Sequence, residues 1–319
     1  MKKTILLFVT VFIFSYVSAQ EGSTSVKIFS NFNYDMSTED GEDAFKEFEI
    51  KRSYLGYSYR IDDRFSTKIT FDVGSNSAGS ANTVFLKIAS LKWKTSDKLT
   101  LNLGMVGTKN FKFMQKAWGR RYIEKSAQDK YKWANSADVG FTADYKISDN
   151  LTLDAQVLNG EGFKKIQSDD GLFRGGVGVT YNAGNNLSIR LHQDISPRST
   201  YDDMHEAQRI TTAAIAYKTD NMTIGAEMDR MENIDNVVDT EQEMISLYGA
   251  YKMSDKYTFF ARHDDASETN QEGSYTIYGV ERKIVKEVTI ALNMQSWTDD
   301  SAEGSEEENT LFLNFEYKF

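Results

Sequence analysis

The feature that most limits how this chain can fold is a short phrase that keeps returning. It reads YRIDDRFS at 59, WKTSDKLT at 93, YKISDNLT at 145, YNAGNNLS at 181, YKTDNMT at 217 and YKMSDKYT at 251, with a degenerate copy, RKIVKEVT, at 282. In each clear copy an aromatic residue closes a run of alternating apolar and polar residues. Asp, Asn, Ser or Gly then supplies a tight turn, and the next alternating run begins at once. The copies lie about 35 residues apart, except for 52 between Trp93 and Tyr145. Each interval holds one turn, two strands and one longer connection, so seven short turns and eight long loops join 16 antiparallel strands.

The strands have one apolar and one charged face. Phe65, Thr67, Ile69, Phe71 and Val73 oppose Ser66, Lys68, Thr70 and Asp72, and Leu187, Ile189, Leu191, Gln193 and Ile195 oppose Ser188, Arg190, His192 and Asp194. The last run keeps Leu311, Leu313, Phe315 and Tyr317 on one face and ends on Phe319, where the Tyr-Lys of the other copies leads into a turn. A soluble sandwich also alternates, but it rarely needs so many long strands with systematically unequal loops, and a propeller groups short strands in fours. The pattern predicts an all-β fold: a transmembrane, antiparallel up-and-down β-barrel of 16 strands, apolar face to lipid and polar face to a lumen wide enough to hold water. One proline, 13% aromatic and 26% charged residues suit half-polar strands with aromatic rims.

Residues 1–19, with Lys2 and Lys3 ahead of an apolar run from Ile5 to Phe14 and Val17-Ser18-Ala19 at the exit, are expected to be a cleaved signal peptide. Residues 20–319 are then the barrel, with both termini on the short-turn side, which for a bacterial outer-membrane barrel is the periplasm. The chain has no Cys, which removes disulfide frameworks and thiolate chemistry. Losing Lys2 and Lys3 takes the formal charge from −10 to −12, unsuited to nucleic acid.

One long loop differs from the rest. Between 109 and 135, Lys109, Lys112, Lys116, Arg120, Arg121, Lys125, Lys130 and Lys132 outnumber Glu124 and Asp129, whereas other large loops are acidic, with Asp299, Asp300, Glu303, Glu306, Glu307 and Glu308 in the last. Its aromatics, among them Phe111, Trp118, Tyr122 and Tyr131, call for something to pack against. The reading is a third loop folded inward, with Lys112, Lys116, Arg120, Arg121, Lys125 and Lys130 at a constriction where low-dielectric walls focus their field on anions. The alternative is a solvated surface loop or an oligomer contact. A short helix is expected within it, interrupted near Gly119. Parity places Arg52, Arg60, Lys68, Arg174, Arg190 and Arg262 on the lumen face, either as a basic track or as partners of Asp72, Asp138, Asp144, Asp154, Asp194, Glu227, Asp229 and Asp264 on that face.

The run FEIKRSYLGYSYRIDDRFSTKITFDV at 48–73 and WGRRYIEKSAQDKY at 118–131 resemble the phosphate-selective porins of the O and P type, including their Bacteroidota relatives. The resemblance implies an integral outer-membrane channel for passive diffusion of small hydrophilic solutes with a mild anion preference, phosphate among the candidates. It also implies a homotrimer; outer-membrane lipids and lipopolysaccharide are the expected surroundings, the acidic loop tips sharing divalent cations with the latter. The acidic residues on the lumen face depart from a dedicated phosphate channel. Two other uses of such a barrel compete: an adhesin or structural surface protein without an open pore, and a hydrolase. The hydrolase has His205 beside Asp202, Asp203 and Glu206 as its best seed, but no Ser-His-Asp order, metal-ligand spacing or cofactor motif stands out. An enzyme is not expected.

Overall fold

A computed structural model describes residues 22–38, 43–74, 82–198, 202–268, 271–299 and 306–319; the expected signal peptide lies outside them. The strands are β1 (Gly22–Asp35), β2 (Lys46–Arg60), β3 (Phe65–Gly74), β4 (Thr83–Lys94), β5 (Leu99–Gly107), β6 (Ala137–Lys146), β7 (Leu151–Leu158), β8 (Arg174–Ala183), β9 (Leu187–Ser196), β10 (Gln208–Lys218), β11 (Met222–Glu232), β12 (Glu241–Lys252), β13 (Tyr257–Glu268), β14 (Gln271–Val285), β15 (Val288–Asp299) and β16 (Glu306–Lys318). Each pairs antiparallel with its sequence neighbours, and β1 pairs with β16, which closes the barrel and leaves no edge. The C-terminus takes part in that seam: Val26 N donates to Phe319 O at 2.8 Å and Phe319 N to Val26 O at 3.1 Å.

The seven turns fall where the repeated phrase puts them, and at four of them a short side chain, Asp62, Ser96, Thr219 or Ser254, accepts from the turn backbone. Asp62 Oδ1 accepts from Arg64 N and Phe65 N, both at 2.7 Å, and Ser96 Oγ accepts from Lys98 N and Leu99 N at 3.3 and 3.1 Å. These side chains stand in for a backbone acceptor, which sets where each strand resumes and hence which face every later residue takes.

Alternation then sorts the residues. On β9, Leu191 is 53% exposed and points out while Arg190 and Asp194 are buried inside; on β11, Ile224 and Met228 point out while Glu227 and Asp229 are buried. Each outward Leu or Ile would forgo roughly 1.5–3 kcal/mol of transfer free energy in water, so a ring of them around the wall is stable only against lipid. Among the described residues no helix is long and apolar enough to cross a membrane.

Among the described strands the regular period fails at three places, one of them beside the β14–β15 turn at Ile284 and two within the wall. Opposite Phe29 and Ser30 the register skips Lys51, and opposite Thr70 and Phe71 it skips Lys87. Each is the extra residue of a β-bulge, and a bulge re-aims a side chain that strict alternation would send to the other face.

Candidate functional site

The connection between β5 and β6 runs inside the barrel. Its root is narrow: at Gly104 and Gly140, paired across the two strands with φ of 104° and 152°, a Cβ would meet the carbonyl oxygens of Ala89 and Val157 at 2.4 and 2.2 Å. From there Lys109 N donates to Gln156 Oε1 at 2.7 Å, the Lys109 ammonium meets Asp144 at 2.5 Å, and Arg190 Nη2 donates to Lys109 O at 2.8 Å. Helix α1 (Lys112–Trp118) follows, with Met114 and Trp118 buried at i, i+4 spacing and Lys112 and Lys116 on the open face. Gly119, left-handed at φ 68°, ends it and donates to Gln115 O.

Trp118 packs edge-on against Tyr248 and Phe260, at 6.0 and 6.2 Å between centroids, and its Nε1 donates to Glu124 O at 2.9 Å. The loop tip reaches the far wall: Tyr122 OH donates to Glu281 Oε2 at 2.8 Å and Lys51 Nζ to Ile123 O at 3.0 Å. On the return, α2 (Ala127–Lys130) lies over β10 and β11, where Gln128 Nε2 donates to Thr212 Oγ1 at 2.6 Å and Asp229 Oδ1 at 2.5 Å. Arg262 donates to Lys125 O, and Tyr131 packs in an apolar cluster with Ile210, Met231, Met244 and Ala266. The loop therefore crosses the lumen and is held on both sides.

Between this loop and the wall formed by β2, β3 and β4 lies a cation-rich cluster. The two bulges contribute Lys51 and Lys87; Arg52 comes from the regular part of β2. Asp72, 1% exposed, is the wall's acid, with Arg52 Nη1 at 3.4 Å and Lys87 Nζ at 3.2 Å. The loop faces it with Arg121, paired to Asp129 at 3.4 Å, with Lys125, and with Glu124, which meets Lys51 at 3.5 Å. A second connection, between β7 and β8, also turns inward: Phe163 N donates to Ala137 O at 3.0 Å, Phe163 stacks edge-on with Phe85 of β4, and Lys164 lies 4.6 Å from the Phe85 ring.

Six cations thus meet three carboxylates. Burial lowers the Lys125 and Lys164 ammonium pKa values below 10.5; at Lys125 the attraction of Asp129 and Glu124 opposes it ahead of the repulsion of Arg121 and Arg52, and at Lys164 Arg52 and Lys87 add to it against Asp72 and Asp129. Burial alone would raise Glu124, but Lys51, the Lys125 N–H, Lys130 and Lys125 outweigh it and hold the carboxyl at about 2. The cluster thus holds twice as many cations as carboxylates. Nearer the short-turn mouth, Lys112 lies in the field of Lys109, Lys68 and Lys92, and its pKa is lowered by burial and then by those charges. Asp144 there borders a cavity of about 600 Å³ lined also by Arg64, Lys94 and Lys98.

The other cations read from the sequence sit elsewhere. Arg120 lies over Phe260 at 5.2 Å and pairs with Glu281 at 3.4 Å; Lys130 is clasped by Tyr131 and Tyr275, both at 4.1 Å, and Trp297. Arg174, Arg190 and Arg262 are buried and tied to Asp194, Asp154 and Asp264, and the last two also hold loop carbonyls. Arg60 pairs with Asp63 at an exposed turn. Arg52, Lys68, Lys112 and Lys125 face the lumen, Arg121 is largely buried beside Asp129, Lys116 stays exposed on α1, and Lys51, Lys87 and Lys164, which strict alternation does not place there, join them. His205 Nδ1 meets Asp202 Oδ1 at 2.8 Å within one exposed loop, and His192 is buried on β9.

No family model and no curated protein matches the chain. Solved structures do. The anion-selective porin from Comamonas acidovorans aligns with a TM-score of 0.69 at 10% identity, over 94% of this chain and 100% of that one. OmpF of Salmonella typhi, solved with daunomycin, aligns with a TM-score of 0.69 at 10% identity, over 95% and 99%. The trimer form of OmpT, an outer membrane protein of Vibrio cholerae, aligns with a TM-score of 0.59 at 13% identity, over 94% and 100%. At such identities the likeness is one of architecture, and that architecture is the closed 16-strand barrel of outer-membrane porins.

Proposed function

We propose that this protein is a channel of the bacterial outer membrane through which small hydrophilic solutes and ions diffuse passively, with a mild preference for anions, phosphate among them. The observation that carries the reading is the asymmetry of the lumen. The wall from β8 to β13 carries Arg174, Arg190 and Arg262 in buried ion pairs behind the loop, whereas the opposite side keeps six cations against three carboxylates beside the open path. Field inside a narrow, low-dielectric channel follows the nearest charges, so the local excess outweighs the net −10 of the whole chain.

The barrel is expected to be exported by cleavage after Ala19, to sit among outer-membrane lipids and lipopolysaccharide with both ends in the periplasm, and to assemble as a homotrimer. The deciding experiment is single-channel recording of the purified protein in a planar bilayer under a potassium chloride gradient. A reversal potential of the anion-selective sign supports the reading. A closed barrel, or one that prefers potassium, removes it.

A further inference from the structure

The cations at the narrow part of the lumen also face aromatic rings. Lys87 Nζ, besides its pairing with Asp72 at 3.2 Å, lies 5.1 Å from the centre of the Tyr54 ring and 4.9 Å from that of Phe163, and Lys164 Nζ lies 4.6 and 5.8 Å from Phe85 and Phe163. Phe85 and Phe163 meet edge to face, with centroids 6.2 Å apart and planes at 86°. Phe85, Phe163 and Tyr54 are all partly exposed. Two separate elements were needed to build this: β4, whose bulge turns Lys87 inward beside Phe85, and the β7–β8 connection, whose residues 162–164 reach across to it.

An inorganic anion has no use for such a surface. Chloride or phosphate gains from Lys87, Arg52 and Lys164, but next to phenyl rings it loses water it cannot replace. An anion with a flat apolar body gains from both parts: its carboxylate reaches the ammonium and guanidinium groups, and its ring stacks against Phe85, Phe163 or Tyr54. A ring in that position also screens the lysines from competing water. We infer that the narrow part of the lumen is a transient binding site for aromatic carboxylates, with Lys87, Lys164 and Arg52 taking the carboxylate and Phe85 and Phe163 the ring. The inference rests on the channel reading, since the site is reached only through the lumen.

The test uses the intact purified protein in a planar bilayer at neutral pH, with sodium benzoate and sodium acetate as probes that carry the same charged group. Benzoate is expected to reduce the chloride current at a concentration about three- to tenfold lower than acetate, the span of one or two aromatic contacts. Replacing both rings, Phe85→Leu with Phe163→Leu, keeps apolar bulk and is expected to bring the two probes to parity, while Lys87→Gln weakens both alike. Faster migration of unheated than boiled protein on a denaturing gel confirms that each variant is assembled. Equal block by benzoate and acetate in the unaltered protein overturns the inference, and so does a benzoate advantage that survives the double replacement. If the unaltered protein shows no anion preference in potassium chloride, the channel reading itself has failed; if that preference is intact and the two probes are equal, only the aromatic site has.

Discussion

Removing two cluster charges without adding new ones gives the clearest test of where selectivity originates. In Lys87→Gln with Lys125→Gln, side-chain length and polarity are retained. Asp72 keeps Arg52 at 3.4 Å, and the cluster falls from six cations to four against the same three carboxylates. At about 7 Å and a water-like dielectric, one unit charge acts on a monovalent ion with about 0.6 kcal/mol, and a Debye length of about 10 Å at 0.1 M salt halves that to about 0.3 kcal/mol. Two charges removed raise an anion by about 0.6 kcal/mol and lower a cation by as much, so the chloride-to-potassium permeability ratio should fall roughly sevenfold. The assay is the reversal potential across a salt gradient. The control removes two charges of the other sign, Glu307→Gln with Glu308→Gln, both exposed near the outer end of β16, and should move the ratio less than about twofold because those fields fade within a Debye length. A control that shifts the ratio as far as the cluster variant, or a cluster variant that leaves it unchanged, refutes the reasoning.

Three further outcomes are expected. Because burial and like charges lower the Lys125 and Lys164 pKa values, their protons leave before those of ordinary lysines. Anion preference should therefore hold through neutral pH and decline as pH rises toward 10.5 from below, as a titration of reversal potential would show. Glu227, Asp229 and Asp264 are buried behind the loop with one guanidinium, Arg262, among them. Glu227→Gln should therefore leave the thermal midpoint of the heat-modifiable band unchanged or raised, whereas Gln128→Ala, which strands Thr212 and Asp229, should cost about 1–3 kcal/mol and make the current noisier. Phe319 is 76% exposed at the barrel seam, so Phe319→Asp should lower the yield of assembled barrel well below that of Phe319→Tyr.

The turns and alternation were enough to read the 16 strands, their order and which face is apolar, because most turns carry their own local side-chain acceptor and each strand its own period of two. The aromatic content of residues 109–135 likewise pointed to a packed loop, and Trp118 against Tyr248 and Phe260 is that packing. What alternation hides is its own interruption. Counting from Arg52, strict parity sends Lys51 to lipid, and the skipped register at Lys87 is equally invisible to it. A lysine ammonium facing hydrocarbon at mid-strand is costly enough that two adjacent cations in a spanning run are themselves a signal for a bulge. Lys164 escaped notice because its loop looks solvated, and only the contact of Phe163 with Phe85 brings it inside. The ion pairs differ in how visible they are: Arg262 and Asp264 stand two apart on one strand and share a face, but Arg190 meets Asp154 across an intervening strand.

The crossing loop has a mechanical meaning as well as an electrostatic one. A closed sheet of sixteen strands is a thin hoop, easily flattened by lateral pressure, and a hoop resists flattening best with a spar across it. Covalently rooted at β5 and β6, bonded to β10, β11 and β13 on one side and to β2 and β14 on the other, residues 109–135 are such a spar. Squeezing the ring would have to shear those bonds before it could narrow the gap beside β4. Unit conductance should therefore stay constant across bilayers of different acyl-chain length, and the passage keeps its calibre whatever presses on the wall.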